Sequence, residues 1–172
     1  MSLPSEQQVC DVLEATWPPL SSDWVDPWTI RNGAGGGQRV SAATLDGCRV
    51  EGDIAGAETA MAELGQSPLF MIRDGDAVLD AALEAQGYRI KDPVALYAGP
   101  VSALTQEPLP RVAAFTIWPP LAIAVDLWAA GGIGPARIDV MKRCNGPKTG
   151  ILARNSDQPA GAAFVAIHDN VA

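Results

Sequence analysis

Apolar and polar positions alternate along this chain in two ways, one with the period of a helix and one in short extended runs. Val9, Val12 and Leu13 share a face of the helix predicted over 5–16. Trp17-Pro18-Pro19 ends it, because proline lacks the N–H and its ring clashes with the preceding turn. Residues 28–31 and 38–45 read as strands joined by Asn32-Gly33-Ala34-Gly35-Gly36-Gly37. A helix follows over 53–65, with Asp53 as N-cap and Ile54, Ala57, Met61 and Leu64 facing inward. Residues 69–73 form a short apolar strand, and 76–86 a helix with Val78, Leu79, Ala82 and Leu83 inward and Gly87 at its C′ position. Residues 90–97 read as another strand.

Between Gly99 and Pro110 the periodicity stops and Pro100, Pro108 and Pro110 accumulate, the composition of a linker. The predicted organisation is therefore a module over 1–98, a linker over 99–110 and a second module over 111–172. In the second module, 113–118 reads as a strand. Helices follow over 119–130, with Pro119-Pro120 at its mouth, and over 135–144, with Gly131-Gly132-Ile133-Gly134 between them. Residues 149–154 and 160–167 form a hairpin around Asn155-Ser156-Asp157-Gln158-Pro159, and Asp169-Asn170 turns into an incipient strand at Val171.

Composition narrows the function classes. The 172 residues carry a net charge of −8, with scattered Lys and Arg, which disfavours nucleic-acid binding. The apolar fraction of 48% is that of a globular core. No uncharged apolar run is long enough for a membrane span, since the best candidate, 121–133, is interrupted by Asp126. The first ten residues lack the basic start and apolar run of a signal peptide, so a soluble, cytoplasmic protein is expected. Cys10, Cys48 and Cys144 are widely spaced and odd in number, which points to reduced thiols. With one histidine and dispersed cysteines no metal site is predicted.

The order strand, helix, helix, strand, strand, incipient strand from Ala113 to Ala172 resembles the opening of the GCN5-related N-acetyltransferase (GNAT) fold. Its clearest local text is Gly150-Ile151-Leu152-Ala153-Arg154, a polar turn, and Pro159-Ala160-Gly161-Ala162-Ala163-Phe164-Val165. The first half resembles the same family from its other end. There Leu69-Phe70-Met71-Ile72, a helix, Gln86-Gly87-Tyr88 and Val94-Ala95-Leu96-Tyr97 look like the closing strand–helix–strand. The resemblance implies a tandem α/β (α+β mixed) protein with a mainly antiparallel sheet flanked by helices. The first module would be degenerate, and the second incomplete at Ala172.

What the resemblance implies for chemistry is acetyl transfer from acetyl-CoA to an amine acceptor, a small molecule or a peptide. It places the acceptor cleft at the loop between the two helices, with Trp128, Gly132, Ile133 and Arg137 as its residues. The family's pyrophosphate loop, Gln/Arg-x-x-Gly-x-Gly/Ala, would lie past Ala172. Its nearest match inside the chain is Arg49-Val50-Glu51-Gly52-Asp53-Ile54, where a branched residue and two carboxylates oppose phosphate binding. The chain alone is thus expected to be inactive. No catalytic residue is assigned.

Other residues carry two readings each. Arg137 opposes the dipole of the helix opened by Pro135, which fits either an anion or simple solvation. His168 beside Asp169 is either a general base or an exposed hairpin histidine. Trp118 and Trp128 fill core or wall an acyl pocket; Trp17, Trp24 and Trp28 read as packing anchors. The glycine run at 33–37 lacks the sixth glycine of a dinucleotide fingerprint and reads as a hairpin loop. Two rival classes stand beside the enzyme: a non-catalytic binding or regulatory module, and a structural fragment that forms a homo-oligomer through the open edge of its C-terminal hairpin.

Overall fold

The computed structural model describes residues 3–45, 52–105, 108 and 112–172. It is mixed α/β, and its described residues include two three-stranded antiparallel sheets. The chain divides into two compact units, residues 19–95 and residues 1–18 with 96–172. Helix α1 (Glu6–Thr16) therefore belongs with the C-terminal segment, whereas the linker composition alone assigned it to a module over 1–98.

In the 19–95 unit, strands β1 (Ser21–Val25) and β2 (Trp28–Asn32) form a hairpin closed at Asp26-Pro27, and β3 (Thr44–Leu45) pairs the other edge of β2. Of the strand expected over 38–45 only Thr44–Leu45 forms; it pairs β2 as expected, while the segment before β2 takes the other edge. Most of 38–43 is turn, with Ser41 Oγ donating to the Gly37 carbonyl at 3.0 Å. Gly35 and Gly37 both sit at positive φ, so the glycine run makes turns and does not open a helix. Residues 69–73 form no full strand; Phe70 alone bridges Ala43, in parallel. The strand predicted over 90–97 is absent as well. Ile90, Val94 and Tyr97 are 80%, 77% and 95% exposed, and β-branched residues without a neighbouring strand have nothing to pair with.

Helices α2 (Ile54–Glu63) and α3 (Ala77–Ala85) lie where helical spacing places them. Ile54, Ala57, Met61, Leu79 and Leu83 enter one core with Trp28, Ile30, Ala43 and Leu45. Val78 and Ala82, predicted inward, face outward and line a cavity of about 390 Å³ together with Gly52, Asp53 and Ile54. Inside the core, Trp28 meets Phe70 edge-on at 5.2 Å, and Phe70 meets Tyr88 at 5.3 Å. Buried Arg31 donates to the Ala42 carbonyl at 2.9 Å and to Thr44 Oγ1 at 2.8 Å, which offsets the cost of burying a guanidinium.

The other unit carries the sheet order β4–β5–β6, formed by β4 (Ala114–Ile117), β5 (Lys148–Asn155) and β6 (Gln158–Ala166). Helix α4 (Val101–Leu104) is a single exposed turn. Helices α5 (Ala122–Ala130) and α6 (Pro135–Arg143) separate β4 from β5 in sequence. The β5–β6 turn puts Ser156 and Asp157 at positive φ, the type I′ geometry that matches strand twist. Asp169 and Asn170 repeat that geometry, with His168 and Val171 exchanging both backbone hydrogen bonds at 2.9 Å.

Candidate functional site

Register decides which side of the β4–β5–β6 sheet meets the helices. Ile117, Gly150 and Phe164 stand opposite one another, as do Phe115, Leu152 and Ala162, so these residues share one face. Trp128 of α5 lies against that face. Its indole N–H donates to the Ala162 carbonyl at 3.2 Å, and a Cβ at Gly150 would stand 3.9 Å from its ring and 3.0 Å from the Ile117 carbonyl. The tight contact is with the carbonyl, so a side chain at 150 would press on the β4–β5 pairing, while the indole would stay in ordinary contact. Trp128 is buried with Ile138 and Met141, and Trp17, Trp118, Ile133 and Phe164 pack around them half-buried.

The four residues assigned to the acceptor cleft fall into two groups. Trp128 and Ile133 meet in this cluster, and the Ile133 N–H donates to the Trp128 carbonyl at 2.8 Å, which closes the end of α5. Gly132 sits at φ +81°, a left-handed position that ends α5 at low steric cost, and is exposed. Arg137 is exposed in the first turn of α6. The loop thus has an apolar root in the core and an open rim carrying one cation.

The far end of α6 is tied down by charge. Lys142 and Arg143 occupy its last turn, where cations suit the helix dipole. Lys148 Nζ donates to the Lys142 carbonyl at 2.6 Å and to the Cys144 carbonyl, and stands 5.1 Å from the centre of the Trp118 ring. No sequence motif marked Lys148. The signal available was a lysine a few residues past a helix whose last carbonyls need donors. On the exposed side of the same helix, Lys142 holds the Asp139 carboxyl below its ordinary range by hydrogen bond and charge.

His168 is exposed, and the Asp169 carboxylate accepts a hydrogen bond at 2.9 Å from Gln8 Nε2 of α1. Cys10 and Cys144 are free thiols, the latter buried, and Cys48 lies outside the described residues. Among the described residues no group of three or more His, Cys, Asp and Glu could hold a metal ion. No helix among them is long and apolar enough to cross a membrane.

Residues 49–51 of the candidate pyrophosphate loop lie outside the described residues. The remainder does not fit a phosphate cradle. A Cβ at Gly52 would stand 2.7 Å from Trp28 Cζ2 and 2.9 Å from Leu45 Cδ1, so this glycine packs its Cα against core side chains. Ile54 is buried in the same core, and the Asp53 carbonyl accepts the Trp28 indole N–H at 3.0 Å. These residues hold α2 on its sheet.

Among the described residues of the 19–95 unit, Tyr88 has a strongly perturbed phenol. Desolvation, then its hydrogen bond to the Glu58 carboxylate and the charge of that group, raise the phenol far above its ordinary value. A raised phenol binds its proton more tightly in the folded state. Its contribution is complete below the unfolded value near 10 and is lost as pH rises through the folded one. Stability of this unit is expected to fall above about pH 10, and Tyr88→Phe should flatten that slope in urea melts taken across this range.

The sequence matches no protein-family model, no curated protein and no solved structure.

Proposed function

We propose that this chain is an N-acetyltransferase of the GNAT type, and that residues 113–172 supply the acceptor-binding half. One observation carries the reading: a strand, two helices and an antiparallel hairpin combine into a sheet of order β4–β5–β6, with the root of the α5–α6 loop packed on one sheet face. That is the element order and pairing with which the resembled fold begins. In acyl transfer of this kind the protein contributes mostly placement of the amine. Trp128 and Ile133 fix the root of the loop, Gly132 permits close approach at its rim, and Arg137 offers a cation to an anionic part of the acceptor. A non-catalytic binding module is the second reading, favoured by the start of α2, where Gly52 and Ile54 pack into the core and do not form a phosphate cradle.

The test is thiol release from acetyl-CoA by protein made from the full reading frame, with amino acids, polyamines and peptides as acceptors. Arg137→Ala should raise KM for the amine while shifting Tm by no more than about 1–2 °C, since an exposed first-turn arginine adds little stability. Binding of acetyl-CoA without turnover would favour the binding module. Absence of both binding and turnover would end the acetyltransferase reading.

A further inference from the structure

Residues 1–18 belong with residues 96–172, although the 19–95 unit separates them in sequence. Contacts to three different places hold them there. Gln8 Nε2 donates to Asp169 Oδ2 at 2.9 Å, across 161 positions of the chain. Trp17 meets Phe164 of β6 edge-on, with ring centres 5.9 Å apart. Arg143 Nε of α6 donates to the Pro18 carbonyl at 3.4 Å.

These anchors are unequal. The Gln8 bond is exposed and competes with water, so it fixes direction more than it stabilises. The Arg143 bond is long, and its Nη2 is shut from water without a partner, which opposes docking. Of the three, the apolar contact of Trp17 contributes most to the attachment, alongside the buried Val12 of α1. Phe164 lies between Trp17 and Trp118, the latter 5.5 Å away, and all three rings surround the cluster of Trp128, Ile138 and Met141.

We infer that residues 6–18 are a strap that completes the core of the C-terminal unit, with Trp17 as its decisive anchor and residues 19–95 inserted between strap and body. The chain then passes between the two units twice, at 18/19 and at 95/96. A single cut in the proline-rich segment leaves the strap docked by non-covalent contact. If the acetyltransferase reading holds, Trp17 is also a positioning residue, because the cluster it closes contains Ile133 at the root of the acceptor loop.

A protease site placed after Gly99 tests the strap directly. The nicked wild-type chain should elute as one species in native size exclusion, and so should nicked Trp17→Phe, which keeps an aromatic ring. Nicked Trp17→Ala should separate. In the uncut Trp17→Ala chain, amide exchange over 160–166 should quicken about tenfold or more, while that over 54–63 stays unchanged. Separation of the nicked wild-type fragments would overturn the inference. So would co-elution of nicked Trp17→Ala with wild-type amide protection over 160–166. These readouts involve no acetyl transfer, so the strap and the acetyltransferase reading can fail independently.

Discussion

Replacing Trp28 with alanine should unfold the 19–95 unit. Trp28 is 1% exposed, lies edge-on to Phe70, donates its indole N–H to the Asp53 carbonyl and packs against Gly52 at the start of α2. One side chain thus joins the hairpin, the 69–71 segment and a helix. Tryptophan-to-alanine changes in a core cost about 3–5 kcal/mol, against the roughly 5–15 kcal/mol that holds a whole protein folded. The expected result is loss of amide protection through 54–63 and 77–85. Trp28→Phe should cost less, about 1–3 kcal/mol for the carbonyl left without its donor. Unchanged protection in Trp28→Ala would show that the core is organised around other contacts.

Trp128→Ala should have a comparable effect on the C-terminal unit, which separates two roles for this residue. As the wall of a ligand cleft, Trp128 could be truncated with little loss of fold. As found, it is 4% exposed, packs on Ile138 and Met141 and bonds the Ala162 carbonyl. A loss of about 3–5 kcal/mol is expected, read as faster exchange across α5, β5 and β6. Retention of native protection, with only amine KM altered, would return Trp128 to the cleft wall.

Much of this architecture is legible in the sequence because its signals are local. The α1, α2, α3 and α6 helices announce themselves by spacing and end residues, such as Gly87 at positive φ after α3. Asp53 is the N-cap of α2 but makes no capping bond through its side chain, and Ser5, not singled out by the pattern, caps α1 by accepting from the Gln8 N–H. The β5–β6 hairpin is equally plain, with apolar runs flanking a polar turn. What fails is pairing. Residues 90–97 have strand composition and no strand beside them, whereas Ser21–Val25, exposed throughout and opened by three polar residues, is a strand paired along β2. The Asp26-Pro27 turn was the available clue.

The candidate site is less legible than the fold, for a related reason. Spacing shows that Val9, Val12 and Leu13 need cover, but cannot say that residues 96–172 provide it. Nor does it separate the buried root of the acceptor loop, Trp128 and Ile133, from its exposed rim, Gly132 and Arg137. The Lys148 contacts with the end of α6 are local in sequence, yet no motif separates this lysine from the others.

The bond between Gln8 and Asp169 also orders events during synthesis. A ribosome completes α1 some 150 residues before it completes β6, and at about 5–20 residues per second the interval is roughly 8–30 s. Throughout that time Trp17, next to α1, has no Phe164 of β6 to rest on, while the 19–95 segment has emerged in full and can fold. The nascent chain must therefore carry an amphipathic helix with its docking surface still unmade, a natural target for a holding chaperone. Ribosome-bound chains halted before residue 158 should bind such a chaperone through residues 6–17, and chains released after β6 should not.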